Sequence, residues 1–258
     1  MANYKTVVVK IGSSTLTTKE GKLDIANLFR LVSEFKEIIK NNIKLIIVTS
    51  GAVATGAEKL NLKSKPKSIP EKQAAAAIGQ SILMRQYEKA FESYGITVAQ
   101  ILLTRDAIEN KERYLNARNT LTKLLEENVV PIVNENDTVA VEEIKFGDND
   151  NLSAMVAELI KANLLLLLTD VDGFYMKTDE GVEFKADVIE EIDQKVTAAA
   201  GHSATRVGTG GMATKIEAAK ICLKAKIPMV IAHGRMQGVI NKIVNGENVG
   251  TMFLPKGK

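Results

Sequence analysis

Two lysines sit beside glycine-containing turns near opposite ends of this sequence, and two clusters of Asn and Asp stand between them. The first lysine ends the run Thr6-Val-Val-Val-Lys10 and is followed by Ile11-Gly12-Ser13-Ser14. A lysine at a strand end, before a glycine turn, can hold phosphate by charge and by backbone N–H groups. The competing reading is a turn whose lysine points into solvent. The second lysine closes Gly208-Thr209-Gly210-Gly211-Met212-Ala213-Thr214-Lys215. Glycines directly before a helix, with an ammonium group in its first turn, suit a triphosphate. The Gly-Lys-Ser/Thr order of a P-loop is missing. Gly208-x-Gly210-x-x-Ala213 does fit the loose dinucleotide fingerprint. However, Ala204-Thr205-Arg206 ahead of it is a poor strand, and Ala225 and Lys226 stand near the place where a ribose-binding acid is wanted. A nicotinamide cofactor is therefore discounted.

The clusters are Asn134-Glu135-Asn136-Asp137 and Gly147-Asp148-Asn149-Asp150-Asn151. Such loops often serve only as turns and caps, but two so close together can also bind the ammonium group of an amino acid and orient cationic groups. Calcium is disfavoured, because the EF-hand spacing and its terminal glutamate are absent. Thr49-Ser50-Gly51-Ala52 offers a hydroxyl and a glycine at a helix start, where an anion can approach the backbone; a plain Ser N-cap is the alternative. Thr169-Asp170-Val171-Asp172-Gly173 could contact a base or ribose, or simply turn the chain. His202 and His233 lack metal-ligand spacing and read as structural or exposed. Cys222 reads as core packing. No nucleophile–His–acid constellation is present.

These residues need elements to place them. Apolar runs at Thr6–Lys10, Lys44–Val48, Thr97–Leu103, Val129–Val133, Leu164–Leu168 and Pro228–Ala232 read as strands buried on both faces. They alternate with helical stretches. Ile25, Leu28, Phe29, Val32, Phe35 and Ile39 form one apolar stripe behind an N-cap at Asp24. Further helices are expected at Pro70 to about Tyr94, Glu112–Glu127, Leu152–Ala162 and Thr214–Ala225. The expected fold is α/β: a three-layer αβα sandwich around a central, mainly parallel open sheet. A closed eight-fold barrel is the second choice, but eight βα units are not found. Gly173–Glu191 departs from the alternation and suggests a hairpin. No repeat, low-complexity segment or linker is evident. In an open α/β sheet ligands bind beyond the carboxyl ends of the strands, and the polar clusters collect there.

Composition narrows the function classes. The chain has 258 residues, 45% of them hydrophobic, enough for one large core or two lobes. A formal net charge of +3, with a short basic run at Lys63, Lys65 and Lys67, gives no case for nucleic acid. The single cysteine rules out an intramolecular disulfide and fits a reducing compartment. The most apolar run, Leu164–Leu168, is too short for a bilayer, and the N-terminus lacks a signal-peptide pattern. A soluble, cytoplasmic protein without a membrane partner is expected.

Taken in order, the motifs resemble the glutamate 5-kinase branch of the amino acid kinase family, from about Lys5 to Phe253. Lys10–Ser14, Val48–Ala52 and Leu165–Asp170 are similar to motifs of the wider family. Leu115-Asn-Ala-Arg118, Val133–Asp137, Phe146–Leu152 and Gly208–Lys215 resemble the narrower branch. The resemblance implies ATP-dependent phosphorylation of the L-glutamate side-chain carboxylate, the first step of proline biosynthesis, with proline as a feedback inhibitor. It implies Mg2+ accompanying ATP, no dedicated protein metal site, and a homo-oligomer, dimer or tetramer. It assigns Lys10, Lys215 and Asp150 to catalysis. Ser50, Gly51, Asn134, Asp137 and Asn149 would bind glutamate. Lys10, Gly12, Thr169, Asp170, Thr209, Gly210, Gly211, Met212 and Lys215 would bind ATP. One kinase domain over 1–258 is implied, with the glutamate part at about 1–160 and the ATP part at about 161–258. The chain stops where the kinase domain would end and resembles the short form without the C-terminal RNA-modification-type (PUA) domain. The rival readings are a neighbouring kinase of the same family, such as acetylglutamate or carbamate kinase, and a catalytically silent amino-acid sensor.

Overall fold

The computed structural model describes residues 4–62, 64–104, 110–140, 149–178, 180–202 and 211–257. The chain begins with β1 (Thr6–Ile11), a short α1 (Ser13–Leu16) and α2 (Ile25–Lys40), then β2 (Lys44–Val48), α3 (Ala52–Lys59) and α4 (Ile69–Glu92). Next come β3 (Val98–Leu103), α5 (Lys111–Glu126), β4 (Val130–Glu135), α6 (Asp150–Leu159) and β5 (Leu164–Thr169). After these lie β6 (Phe174–Lys177), β7 (Glu183–Ala186), β8 (Val188–Ile189), α7 (Gln194–His202), α8 (Met212–Lys224), β9 (Met229–His233), α9 (Val239–Val244) and β10 (Thr251–Phe253).

The strands form an open sheet in the order β3-β4-β2-β1-β5-β9-β10-β8, which excludes the closed barrel. β1 lies between β2 and β5, parallel to both, and Lys10 stands opposite Val48 on one side and Leu167 on the other. The central strands are apolar because each face is covered. Val7 and Val9 pack on one side with Phe35, Tyr87 and Phe91, whereas Val8 packs on the other with Leu152, Ala218 and Cys222. Two cores flanking one sheet make the three-layer sandwich expected from the alternation.

The remaining connections follow local chemistry. Asp24 caps α2, its side chain accepting from the Asn27 N–H. The helix expected from Pro70 starts at Ile69 with a capping box, in which Ser68 and Glu71 satisfy each other's backbone N–H groups. The excursion after Gly173 is an antiparallel hairpin of β6 and β7. Asn163 ties the starts of β1 and β5 together, since its Oδ1 accepts from the Lys5 and Thr6 N–H groups at 3.0 and 2.9 Å. β10 is antiparallel to β9 and parallel to β8, so among the described residues it joins β8 to the sheet. Among the described residues no helix is long and apolar enough to cross a membrane. Cys222 is fully buried in the core, and burial pushes its thiol up to about 12.

One packing detail sets where the site can form. Helices α3 and α4 cross at Gly56 and Gly79. A Cβ on Gly56 would stand 1.8 Å from the Ala75 carbonyl oxygen, and one on Gly79 would stand 1.8 Å from that of Ala52. Both obstacles are backbone and cannot swing aside. A Gly79→Ala change gains about 1 kcal/mol of helix propensity. The forced separation of two helices opposes it at a typical cost on the order of 1–3 kcal/mol, at the upper end here because the obstacle is backbone. Gly79→Ala should therefore lower the urea midpoint of unfolding; a midpoint at or above that of the parent chain would show that the crossing tolerates a methyl group.

Candidate active site

The carboxyl ends of β1, β2, β4 and β5 lie along one edge of the sheet, and the polar residues of those ends meet there. Lys10 is the last but one residue of β1, whereas Lys215 lies in the first turn of α8. They are brought together by Asp150, the first residue of α6. Lys10 Nζ donates to Asp150 Oδ1 at 2.5 Å, and Lys215 Nζ donates to Oδ2 at 3.0 Å. Asp150 is 0% exposed, and each lysine is 4% exposed. The solvent-pointing lysine considered for the first turn is thus not what forms. The Thr214 hydroxyl also lies 3.1 Å from Asp150 Oδ2. Two ammonium groups share one carboxylate in a place from which water is largely excluded, where interactions with charge strengthen.

Gly12 follows Lys10 directly. Its N–H donates to the Leu168 carbonyl at 2.9 Å, and a Cβ there would stand 3.9 Å from Lys10 Nζ. The glycine therefore leaves the space beside the ammonium open. At the end of β5, the Thr169 hydroxyl donates to Asp170 Oδ1 at 3.0 Å, and Asp170 is exposed. Gly211, which has no side chain to cap with, is the N-cap of α8, and Met212 is its first residue. Its leading N–H groups stand at the positive end of the helix dipole, which favours a negatively charged group. Thr209, Gly210 and the rest of 203–210 lie outside the described residues.

A second polar cluster adjoins the first through one peptide bond. Asn149 is the N-cap of α6 but does not cap it with its side chain. Its Nδ2 donates instead to the Thr49 carbonyl at 2.6 Å and to Asn134 Oδ1 at 2.7 Å, with Ser50 Oγ at 3.4 Å. Ser50, Asn134 and Asn149 are all buried. The plain Ser N-cap weighed for Ser50 does not occur: Gly51 is the N-cap of α3, at φ 96°, a left-handed conformation that glycine adopts without strain. Asp137 is half-buried in the turn after β4. Gly147 and Asp148 lie outside the described residues.

Two supports were not visible as candidates in the sequence. The Tyr87 hydroxyl sits 2.9 Å from Thr49 Oγ1, and burial pushes the phenol's pKa up, which keeps it a neutral partner. Gln80 accepts from Asn134 Nδ2 at 2.7 Å. The available signal was polar residues, Gln73 and Gln80, recurring two turns apart on an otherwise Ala-rich helix. His233 Nδ1 accepts from the Arg235 N–H at 3.1 Å, a turn-forming role.

The buried ion cluster carries a stability consequence. Removing one partner of a buried charge pair costs about 3–5 kcal/mol, because the remaining charge is left without compensation. Asp150→Ala, which leaves two lysines facing each other, should lower the unfolding free energy by roughly that amount in urea titration. A loss below about 1 kcal/mol would mean that the two ammonium groups find other compensation.

A sequence profile of the amino acid kinase family matches residues 5–233. Glutamate 5-kinase of Clostridium acetobutylicum is 50% identical over 261 residues, covering 100% of this chain and 97% of that protein. Glutamate 5-kinase of Thermoanaerobacter pseudethanolicus is 49% identical over 255 residues, covering 98% of this chain and 68% of that protein. Among solved structures, carbamate kinase from Giardia lamblia bound to AMP-PNP superimposes with a TM-score of 0.67 at 17% identity, covering 99% of this chain and 100% of that one. UMP kinase from Bacillus anthracis superimposes with a TM-score of 0.65 at 17% identity, covering 98% and 97%. The profile spans β1 and α8, the elements that carry the two lysines. This chain belongs to the amino acid kinase family.

Proposed function

We propose that the chain transfers the γ-phosphoryl group of ATP to the side-chain carboxylate of L-glutamate, the glutamate 5-kinase reaction that opens proline biosynthesis. The observation that carries this reading is the adjacency of Asn149 and Asp150. One residue belongs to an amide and hydroxyl cluster suited to an amino acid, the next to a buried cation pair suited to a phosphoryl group. Relatives named glutamate 5-kinase at about half identity over the whole chain support the substrate.

The chemistry asks little of a base. A glutamate side chain has a reference pKa of about 4.3 and is already a nucleophilic carboxylate at neutral pH. The obstacle is repulsion between that anion and the triphosphate. In this reading Ser50, Gly51, Asn134, Asp137 and Asn149 hold glutamate. Gly12, Thr169, Asp170 and the segment from Thr209 to Met212 hold ATP. Lys10 meets the transferring group, Lys215 offsets charge on the leaving phosphate, and Asp150 keeps the two ammonium groups apart and aimed. Such positioning and charge stabilisation are the main means of catalysing phosphoryl transfer. Mg2+ would arrive on the nucleotide, since it is typically held by substrate phosphates and its own waters, and both Asp150 oxygens already accept from lysines. When bound it neutralises phosphate oxygens.

The same reading divides the domain at about residue 160 into a glutamate part and an ATP part. Proline, which shares its ammonium and carboxylate with glutamate, would compete at the amino-acid cluster.

The decisive assay follows ADP release from ATP and magnesium with hydroxylamine present, which traps an acyl phosphate as the hydroxamate. γ-Glutamyl hydroxamate should form with glutamate but not with aspartate or acetylglutamate; no product with glutamate, despite ATP binding, would move the substrate elsewhere or favour the silent sensor. In that assay Lys10→Ala and Lys215→Ala should each lose about 100–1000-fold in turnover or more. Near-normal turnover in either would remove the role given to that lysine.

A further inference from the structure

Four side-chain amides stand in a line that leaves the amino-acid cluster and ends at the surface. Asn149 Nδ2 donates to Asn134 Oδ1 at 2.7 Å, Asn134 Nδ2 donates to Gln80 Oε1 at 2.7 Å, and Gln80 Nε2 donates to Gln100 Oε1 at 3.0 Å. Every link runs in the same direction, from N–H to carbonyl. An amide can be turned either way in isolation, so something must set the sense of the line.

Backbone groups do so at two points. The Thr49 carbonyl can only accept, and Asn149 Nδ2 lies 2.6 Å from it. The Glu135 N–H can only donate, and it points at Asn134 Oδ1 at 3.0 Å. With the amide of Asn134 fixed oxygen-inward, its nitrogen faces α4 and needs an acceptor. Gln80 supplies it. Both N–H bonds of Asn149 are then committed, to Thr49 and to Asn134. What Asn149 has left for a ligand is its carbonyl oxygen, an acceptor. An acceptor suits an ammonium group and does not suit a carboxylate.

Position is set by the helix crossing. Gln80 is the residue after Gly79, where α4 comes closest to α3, and α3 starts directly after Ser50 and Gly51. Gln73, two turns earlier on the same face of α4, reaches the Ala140 carbonyl at 3.5 Å. Thus α4 lies along the whole segment from Asn134 to Ala140.

We propose that Gln80 is a positioning residue of the amino-acid site. It accepts from Asn134, locks the Asn134 and Asn149 amides in one sense, and so makes Asn149 present its carbonyl oxygen to the α-ammonium group of the substrate. The proposal rests on the reading that Asn149 faces the amino acid. Without the Gln80 acceptor the Asn134 nitrogen is left buried without a partner, and the amide pair gains a reason to turn over, which would set an N–H donor against the ammonium group.

The test is steady-state kinetics of the whole chain, varying glutamate and ATP separately, together with thermal melting. Gln80→Met keeps the length and removes the acceptor. The glutamate KM should rise about tenfold, in line with the loss of one buried hydrogen bond. The ATP KM should change little, and the melting temperature should fall by only a few degrees, as one buried amide without an acceptor costs about 1–3 kcal/mol. Gln80→Glu keeps an acceptor toward Asn134, and the exposed Gln100 can turn its amide to donate to the new carboxylate; its glutamate KM should stay within about threefold of the parent value. Equal rises in glutamate KM in both variants, or a Gln80→Met change that raises the ATP KM as strongly as the glutamate KM, would overturn the proposal in favour of a packing role. Asn149→Ala separates the two levels of the argument. If it raises the glutamate KM while Gln80→Met does not, the positioning role fails and the site stands. If Asn149→Ala leaves the glutamate KM unchanged, the amino-acid site itself is misplaced, and Gln80 falls with it.

Discussion

The site depends on one buried carboxylate between two buried ammonium groups. Ions of this kind are stable away from water only when compensated and hydrogen-bonded. Asp150 meets that requirement with both of its oxygens, one for Lys10 and one for Lys215. The constraint reaches across the molecule, because the three residues come from β1, α6 and α8, far apart in sequence. The helices α6 and α8 must approach β1 closely enough for the contacts to close, and their packing over the same face of the sheet, through Leu152, Ala218 and Cys222, provides that approach. Electrostatics alone would not hold the triad; the apolar layers hold it, and the charges punish any other arrangement.

The parallel sheet explains why so much polar sequence arrives in one place. Its strands are continuous apolar runs with both faces covered, so polar side chains are confined to strand ends. All four of the strands that carry site residues run in the same direction, and their carboxyl ends therefore share an edge. Lys10, Ser50, Asn134 and Thr169 stand at four such ends. The peptide bond between Asn149 and Asp150 then ties the amide cluster to the cation cluster. A displacement of α6 would move both at once.

The sequence was legible where a single physical rule dominated. Apolar runs gave the six central strands to within a residue or two, and the stripe from Ile25 to Ile39 gave α2. Lys10 and Lys215 stood out because glycine turns flank them, and Asn149 because Asn and Asp crowd around it. Short elements were harder to see. Helices α3 and α9 and strands β8 and β10 are held by packing more than by their own periodicity, and two to eight residues carry too little pattern to read. Ser50 shows a different limit. Its type fits an N-cap, yet Gly51 takes that place, since the chain enters α3 through a left-handed residue. Gln80 and Tyr87 show a third. Their partners, Asn134 and Thr49, lie on other elements, and nothing in the local sequence reveals a contact made only after folding.

The order of the strands has a consequence for how the molecule is born. Translation delivers β1 to β5 first, and those five strands are contiguous in the sheet, so that half can assemble while synthesis continues. The other half cannot. Among the described residues strand β8 pairs with the sheet through β10, and β10 comes more than fifty residues later. Until Thr251–Phe253 emerges from the ribosome, β8 and the exposed edge of β9 stay unsatisfied, with Phe174 lacking its ring partner Phe253. This interval is when the nascent chain presents open strand edges to its neighbours.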